Sequence, residues 1–161
     1  MRENTIGAKE RVRIHDFLQD YAHAIDDGEL EHWPNFFAPD GTYKIITREN
    51  YEAGLPLGIL YCEGRGMMSD RIVAMREANI FEPHAYCHLL SQPRLQTGAN
   101  GDIKARSNFL VIRVMQNGDT ETFATGKYLD TIAMRNDLPL IKERIVVLES
   151  RRIDILLVYP L

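Results

Sequence analysis

From His84 onward the chain is written as four long alternating runs, "AYCHLLSQPRLQT", "DIKARSNFLVIRVMQ", "TETFATGKYLDTIAMR" and "LPLIKERIVVLESRRIDILLV". Between them stand Gly98-Ala99-Asn100-Gly101, Asn117-Gly118-Asp119 and Asn136-Asp137, residue types that accept the positive φ of hairpin turns. Alternation in phase with such turns predicts an antiparallel meander. Strands this long have to twist and bend, and Gly126 or local bulges are the expected places.

The first half reads differently. In "AKERVRIHDFLQDYAHAIDDG" the apolar residues Ile14, Phe17, Leu18, Tyr21, Ala22 and Ile25 recur at helical spacing, with Arg13, Asp16, Gln19 and Asp20 on the other face. An amphipathic helix ending near Asp27-Gly28 follows. "ELEHWPNFFAPDG" reads as a short helical turn, pinned by Trp33, Phe36 and Phe37, then a Pro-Asp-Gly turn. "TYKIITREN" and "LPLGILYCEG" read as two strands separated by a turn region from Asn50 to Gly54. "SDRIVAMREAN" reads as a second helix with Ser69 as its N-cap, ended by Pro83. Helices first and long strands afterwards predict a single α+β domain over residues 1–161, its helices packed on one face of a strongly curved antiparallel sheet, the whole forming a cone.

The 161 residues suffice for one core, since a chain of this size buries roughly two-thirds of its unfolded surface. A net charge of -4 with scattered basic residues offers no cationic stripe for phosphates, so nucleic acid is not an expected partner. No apolar run has the length of a signal peptide or membrane span, which predicts a cytoplasmic protein without a membrane partner. Cys62 and Cys87 are then expected as thiols.

Metal chemistry finds little to use. Zinc needs about four donors at short spacings and a Rieske cluster needs two cysteines and two histidines on paired loops. Cys87 and His88 are neighbours on a predicted strand and point to opposite faces, while His84 and His88 would lie about 13 Å apart on one. No metal or cofactor site is expected in this chain. "CEGRGMMSDR" lacks the spacing of a dinucleotide loop.

Acid–base chemistry has a better candidate. Asp26 or Asp27 at the helix end, with Tyr21, faces His88 and Tyr43 across the cone in this reading, and a carboxylate–histidine pair can remove and return a proton. The competing reading leaves both aspartates at a solvated helix terminus and His88 satisfied within the sheet. Asp70, Arg71, Arg76 and Glu77 form either a solvated helix face or a contact with another chain, where Arg is favoured. The apolar end, with Ile155, Leu156, Leu157, Val158, Tyr159 and Leu161, is either a last strand of the domain's own sheet or part of a subunit interface.

"WPNFFAPDGTYKI", "ENYEAGLPLGILYCEG", "MMSDRIVAMREANIFEPHAYCHLL", "GKYLDT", "LIKERIVV" and the final "YPL" together resemble the small (beta) subunits of bacterial aromatic-ring-hydroxylating dioxygenases, from about Val12 to the last residue. Within that family the likeness is to the small subunits of terephthalate dioxygenase and salicylate 5-hydroxylase, which act on aromatic carboxylates. The resemblance implies a cystatin-like, NTF2-like cone and a large (alpha) subunit as partner, carrying the Rieske [2Fe-2S] cluster and the mononuclear iron. It further implies a homotrimer of this chain within an α3β3 assembly, fed with electrons by a separate reductase or ferredoxin. No catalytic residue transfers to this chain; Asp70, Arg71, Arg76, Glu77, Tyr159 and Leu161 become candidate subunit contacts. The competing class is a stand-alone, metal-independent dehydratase, cyclase or isomerase of the same fold, working through Asp26 or Asp27, Tyr43 and His88. A small-molecule binder using the cone as a pocket is the third possibility.

Overall fold

The computed structural model describes residues 6–78, 81–149 and 159–161. Helix α1 spans Ala8–Asp26 and buries Ile14, Leu18, Tyr21, Ala22 and Ile25, a stripe of i, i+4, i+7, i+8 and i+11. It stops in a Schellman arrangement: Gly28 at φ +74° donates to the Ile25 carbonyl, and the Glu29 N–H donates to the Ala24 carbonyl. The chain then turns through a 3-10 segment, Leu30–Phe36, which sinks Trp33 completely.

Strand β1, Phe37–Thr47, runs straight through the expected Pro-Asp-Gly turn. That expectation is corrected by the pairing, in which Phe37 faces Ile141 and Thr42 faces Glu143, so Ala38 to Gly41 form an irregular bulge. Pro39 has no N–H to give a ladder, and a Cβ at Gly41 would stand 2.8 Å from the Ile141 carbonyl oxygen, so glycine is what lets the strands close up. The expected Asn50 to Gly54 turn is a short helix, α2, over Arg48–Glu52, capped by the Thr47 side chain accepting from the Asn50 N–H.

Strand β2, Leu60–Glu63, leads directly into helix α3, Gly64–Ala78. Ser69 is therefore inside the helix and not its N-cap. Gly64 at φ +78° makes the corner, and Arg65 Nε donates to the Phe37 carbonyl at 2.7 Å. Met68, Ile72 and Met75 face the core.

The strands β3 (His84–Leu90), β4 (Arg94–Thr97), β5 (Ile103–Met115), β6 (Thr120–Arg135) and β7 (Leu138–Leu148) complete a sheet in the order β2-β1-β7-β6-β5-β3, with β4 also on β5. The run from Ala85 to Thr97 is thus two strands against one partner, broken at Ser91 to Pro93. Strands β5, β6 and β7 form the expected antiparallel meander, but β1 lies parallel to β7. The sheet is mixed, a correction to the all-antiparallel expectation. Extra residues at Phe123 and Lys142 shift the register and curve it. Gly126 lies at the closest approach, where a Cβ would come within 2.1 Å of the Val147 carbonyl oxygen. Residues Ile155 to Val158 of the expected last strand lie outside the described residues.

The concave face and α1, α3 and the 3-10 segment enclose one aromatic-rich core, and Ile14, Leu18 and Ile132 anchor a second, smaller one. No helix among the described residues is long and apolar enough to cross a membrane.

Candidate functional site

The helix stop places Asp26 on the last turn of α1, directly above the open edge of β3. Its Oδ2 accepts the main-chain N–H of His88 at 2.8 Å and its Oδ1 accepts Nδ1 at 2.6 Å. An ionised carboxylate only accepts, so the imidazole donates from Nδ1. The His88 side chain is fully buried, and Nε2 has no hydrogen-bond partner among the described residues. The expected carboxylate–histidine pair therefore exists, through Asp26.

Its other expected members lie elsewhere. Asp27 lines an open pocket of about 500 Å³ on the outer flank of α1, with Phe17, Asp20, His23, Glu29 and His32. Tyr43 is committed to Leu161: its hydroxyl donates to the Leu161 carbonyl at 3.1 Å and accepts the Leu161 N–H at 2.9 Å. Tyr21 donates to the same carbonyl at 3.0 Å and receives Trp33 Nε1 at 2.8 Å. Burial pushes the phenols of Tyr21 and Tyr43 above their ordinary value, Tyr43 furthest. Trp33 stands edge-on to Tyr43 at 5.0 Å, and with Phe37 fills the space that a ligand pocket would need.

Beside this network Arg144 and Asp130 form a bidentate pair at 2.8 Å, both buried. The guanidinium is stacked between Tyr21 and Tyr128, 4.0 and 4.1 Å from the ring centroids. Burial opposes its charge, but Asp130 and the two phenols outweigh that and hold its pKa above the ordinary arginine value. Sequence reasoning passed over this pair. The signal was present: Asp130 is in phase with inward Tyr128 and Ile132, and Arg144 with Val146 and Leu148.

The metal donors do not fit an iron or iron–sulfur group. His84 spends Nδ1 on the Glu82 carbonyl at 2.8 Å, His88 spends Nδ1 on Asp26, Cys62 is buried and Cys87 is exposed. No group of three or more His, Cys, Asp or Glu among the described residues is arranged to hold a metal ion.

The opening of α3 towards solvent is mixed. Asp70 and Glu77 are exposed and Arg71 is half-buried. Arg76 faces its own chain, forking onto Glu31 at 2.9 and 3.2 Å and reaching the Gly28 carbonyl at 3.0 Å. Tyr159 is half-buried against Phe81, His84 and Tyr86, while Leu161 is fully buried in its own core. A feature that the sequence reading did not single out is the apolar surface of the α2–β2 segment, where Leu55, Leu57, Ile59 and Tyr61 are all exposed.

Comparison with known proteins gives a consistent result. The description of the SnoaL-like domain matches residues 8–145. The terephthalate 1,2-dioxygenase terminal oxygenase component subunit beta 1 of Comamonas sp. is 39% identical over 150 residues, covering 93% of this chain and 97% of that protein. The anthranilate 1,2-dioxygenase small subunit of Burkholderia cepacia is 34% identical over 161 residues and the full length of both. Among solved structures, a chain from Novosphingobium aromaticivorans described as the beta subunit of an aromatic-ring-hydroxylating dioxygenase superposes with a TM-score of 0.85 at 32% identity, covering 94% of this chain and 96% of that one.

Proposed function

This chain belongs to the SnoaL-like domain family and, within it, to the small (beta) subunits of aromatic-ring-hydroxylating dioxygenases, and from that premise we propose that it is the structural subunit of an oxygenase acting on an aromatic carboxylate. It carries no catalytic centre of its own. The Rieske [2Fe-2S] cluster and mononuclear iron reside in a large partner subunit, with which this chain, as a trimer, builds an α3β3 assembly supplied by a separate reductase or ferredoxin.

The observation that carries this reading is the filled cone. The stand-alone reading needs Tyr43 and the Asp26–His88 pair to share a solvent-reachable cavity, whereas the His88 side chain is fully buried, Tyr43 is hydrogen-bonded to Leu161, and Trp33, Phe37, Tyr43 and Leu161 are all fully buried in one core. Asp26 and His88 then serve to fasten α1 to the sheet. The aromatic-carboxylate substrate rests on the relatives, since terephthalate and anthranilate are both aromatic acids.

Asp70, Arg71 and Glu77 on α3 and Tyr159 are the proposed subunit contacts, with Arg76 setting the angle of α3 through Glu31. Leu161 acts from inside, by seating the segment that carries Tyr159. Arg71→Glu is expected to weaken assembly more than it lowers the melting temperature of the isolated chain.

The test is co-expression with the large-subunit gene, followed by light scattering and iron analysis, with this chain alone as control. A hexamer whose iron appears only with the large subunit supports the proposal. A chain that stays apart from that subunit overturns it and returns the Asp26–His88 pair to the acid–base reading, to be tried with His88→Ala and hydroxylated aromatics.

A further inference from the structure

The outer face of the sheet carries an open groove whose charges are not balanced. Arg94 of β4 and Arg106 of β5 stand directly opposite each other, with Lys104 two residues along β5 on the same face. All three are exposed, and none is paired with a carboxylate among the described residues; Lys104 is held by its bond to Thr131 Oγ1 at 2.6 Å. Like charges facing each other across a ladder repel, at a cost to the chain alone. The groove they line, about 440 Å³, has an apolar floor of Leu129, Ile145 and Tyr51. Its carboxylates are Asp130, turned inward to Arg144, and Glu143, two strands from Arg106.

The flank of α1 is the converse. Asp20, Asp27 and Glu29 line the open pocket of about 500 Å³ there, all exposed and none paired with a cation among the described residues. Phe17 and Phe36, their rings 5.5 Å apart, form its apolar wall. Phe17, Asp20 and Asp27 lie about a quarter turn around α1 from the buried Ile14, Leu18 and Ile25, so the pocket opens to the side of the sheet and not behind it.

We infer that the cationic groove of one copy of this chain docks on the acidic pocket of the next. Apolar floor meets apolar wall, and Arg94, Lys104 and Arg106 find in Asp20, Asp27 and Glu29 the carboxylates their own chain withholds. Unlike patches set at an angle pass the contact on around a closed ring. This contact rests on the trimer proposed above and names its surfaces, leaving α3 for the large subunit.

The full chain alone is sedimented at pH about 8, where ordinary imidazoles are uncharged. Four forms are compared: the parent, Arg94→Glu with Arg106→Glu, Asp20→Lys with Asp27→Lys, and all four substitutions together. The parent is expected as a trimer that weakens at least about tenfold when salt rises from about 0.1 M to about 1 M and screening shortens from about 10 to about 3 Å. Each reversed pair should weaken association roughly a hundredfold, and the fourfold variant, with both signs exchanged, should return to within about tenfold of the parent. A pair that circular dichroism finds unfolded is replaced by Arg106→Gln or Asp20→Asn, each expected to weaken association roughly tenfold. A monomeric parent, or a trimer indifferent to both reversals, overturns the inference, as does a fourfold variant no better than the pairs. An arginine-reversed chain that keeps its trimer and loses only the large subunit also overturns it, and gives the groove to that partner. Failure of the proposed function reads differently, as a chain that stays apart from the large subunit on co-expression.

Discussion

Asp26 and His88, 62 positions apart, are joined by two hydrogen bonds that one carboxylate accepts, one from the ring Nδ1 at 2.6 Å and one from the main-chain N–H at 2.8 Å. The second bond caps an N–H on the open edge of β3, which protects an edge strand as well as anchoring the helix. Asp26→Ala leaves both donors unpaired and is expected to cost about 3 kcal/mol in urea unfolding. Asp26→Asn keeps a single side-chain acceptor and is expected to lose roughly 2 kcal/mol. In the assembled enzyme His88→Ala should lower the yield of complex while leaving turnover per iron unchanged.

Arg144 and Asp130 are buried together, so removing one strands the other. Arg144→Met alone is expected to destabilise by about 4 kcal/mol. The double variant Arg144→Met with Asp130→Leu should recover most of that loss, because it removes both desolvation penalties at once. Chemical denaturation of the two singles and the double, closed as a cycle, measures the coupling.

The three core tyrosines set an alkaline limit. Burial raises the pKa of Tyr21, Tyr43 and Tyr128 in the folded chain, whereas the unfolded chain titrates them near the ordinary value of about 10. A raised folded pKa contributes stability that is intact below pH about 10 and is lost as pH rises through the folded values, at about 1.4 kcal/mol per tyrosine per pH unit. Tyrosinate absorbance from these three rings should therefore appear only together with loss of the circular dichroism of the fold. Their ionisation in a fully folded chain would contradict this.

Gly126 and Gly66 should respond oppositely to alanine. At Gly126 the new Cβ would meet the Val147 carbonyl oxygen at 2.1 Å and Phe109 at 3.0 Å, so Gly126→Ala is expected to cost more than about 4 kcal/mol or to prevent folding. Gly66 lies within α3 with nothing within 4 Å, and Gly66→Ala should stabilise by up to about 1 kcal/mol. Thermal melts of the two variants decide it.

Much of the fold was legible because its signals are local. The stripe from Ile14 to Ile25 requires only 3.6 residues per turn to be read, and Asn136 and Asp137 stand at φ +51° and +64°, the backbone conformation their residue types advertise. The bulge at Pro39 to Gly41 was misread as a turn because the same three residues serve both, and only the facing Ile141 carbonyl distinguishes them. Ser69 misled for a related reason: a good N-cap residue is no cap when Gly64 has already started the helix. Of the candidate site, the Asp26–His88 pairing was anticipated, but the commitment of Tyr43 to Leu161 joins residues 118 positions apart and leaves no trace in either neighbourhood.

By itself, then, the sequence determined the periodic elements, the turns that separate them and, through motifs spread from Val12 to Leu161, the family. These depend on nearest-neighbour sterics and on patterns that survive without coordinates. Tertiary structure alone decided that β1 runs parallel to β7, that Asp130 and Arg144 meet, and that the cone is filled by Trp33, Tyr43 and Leu161. Each of these is a pairing between distant segments. Its energy comes from burial and hydrogen bonds formed only when the whole core closes.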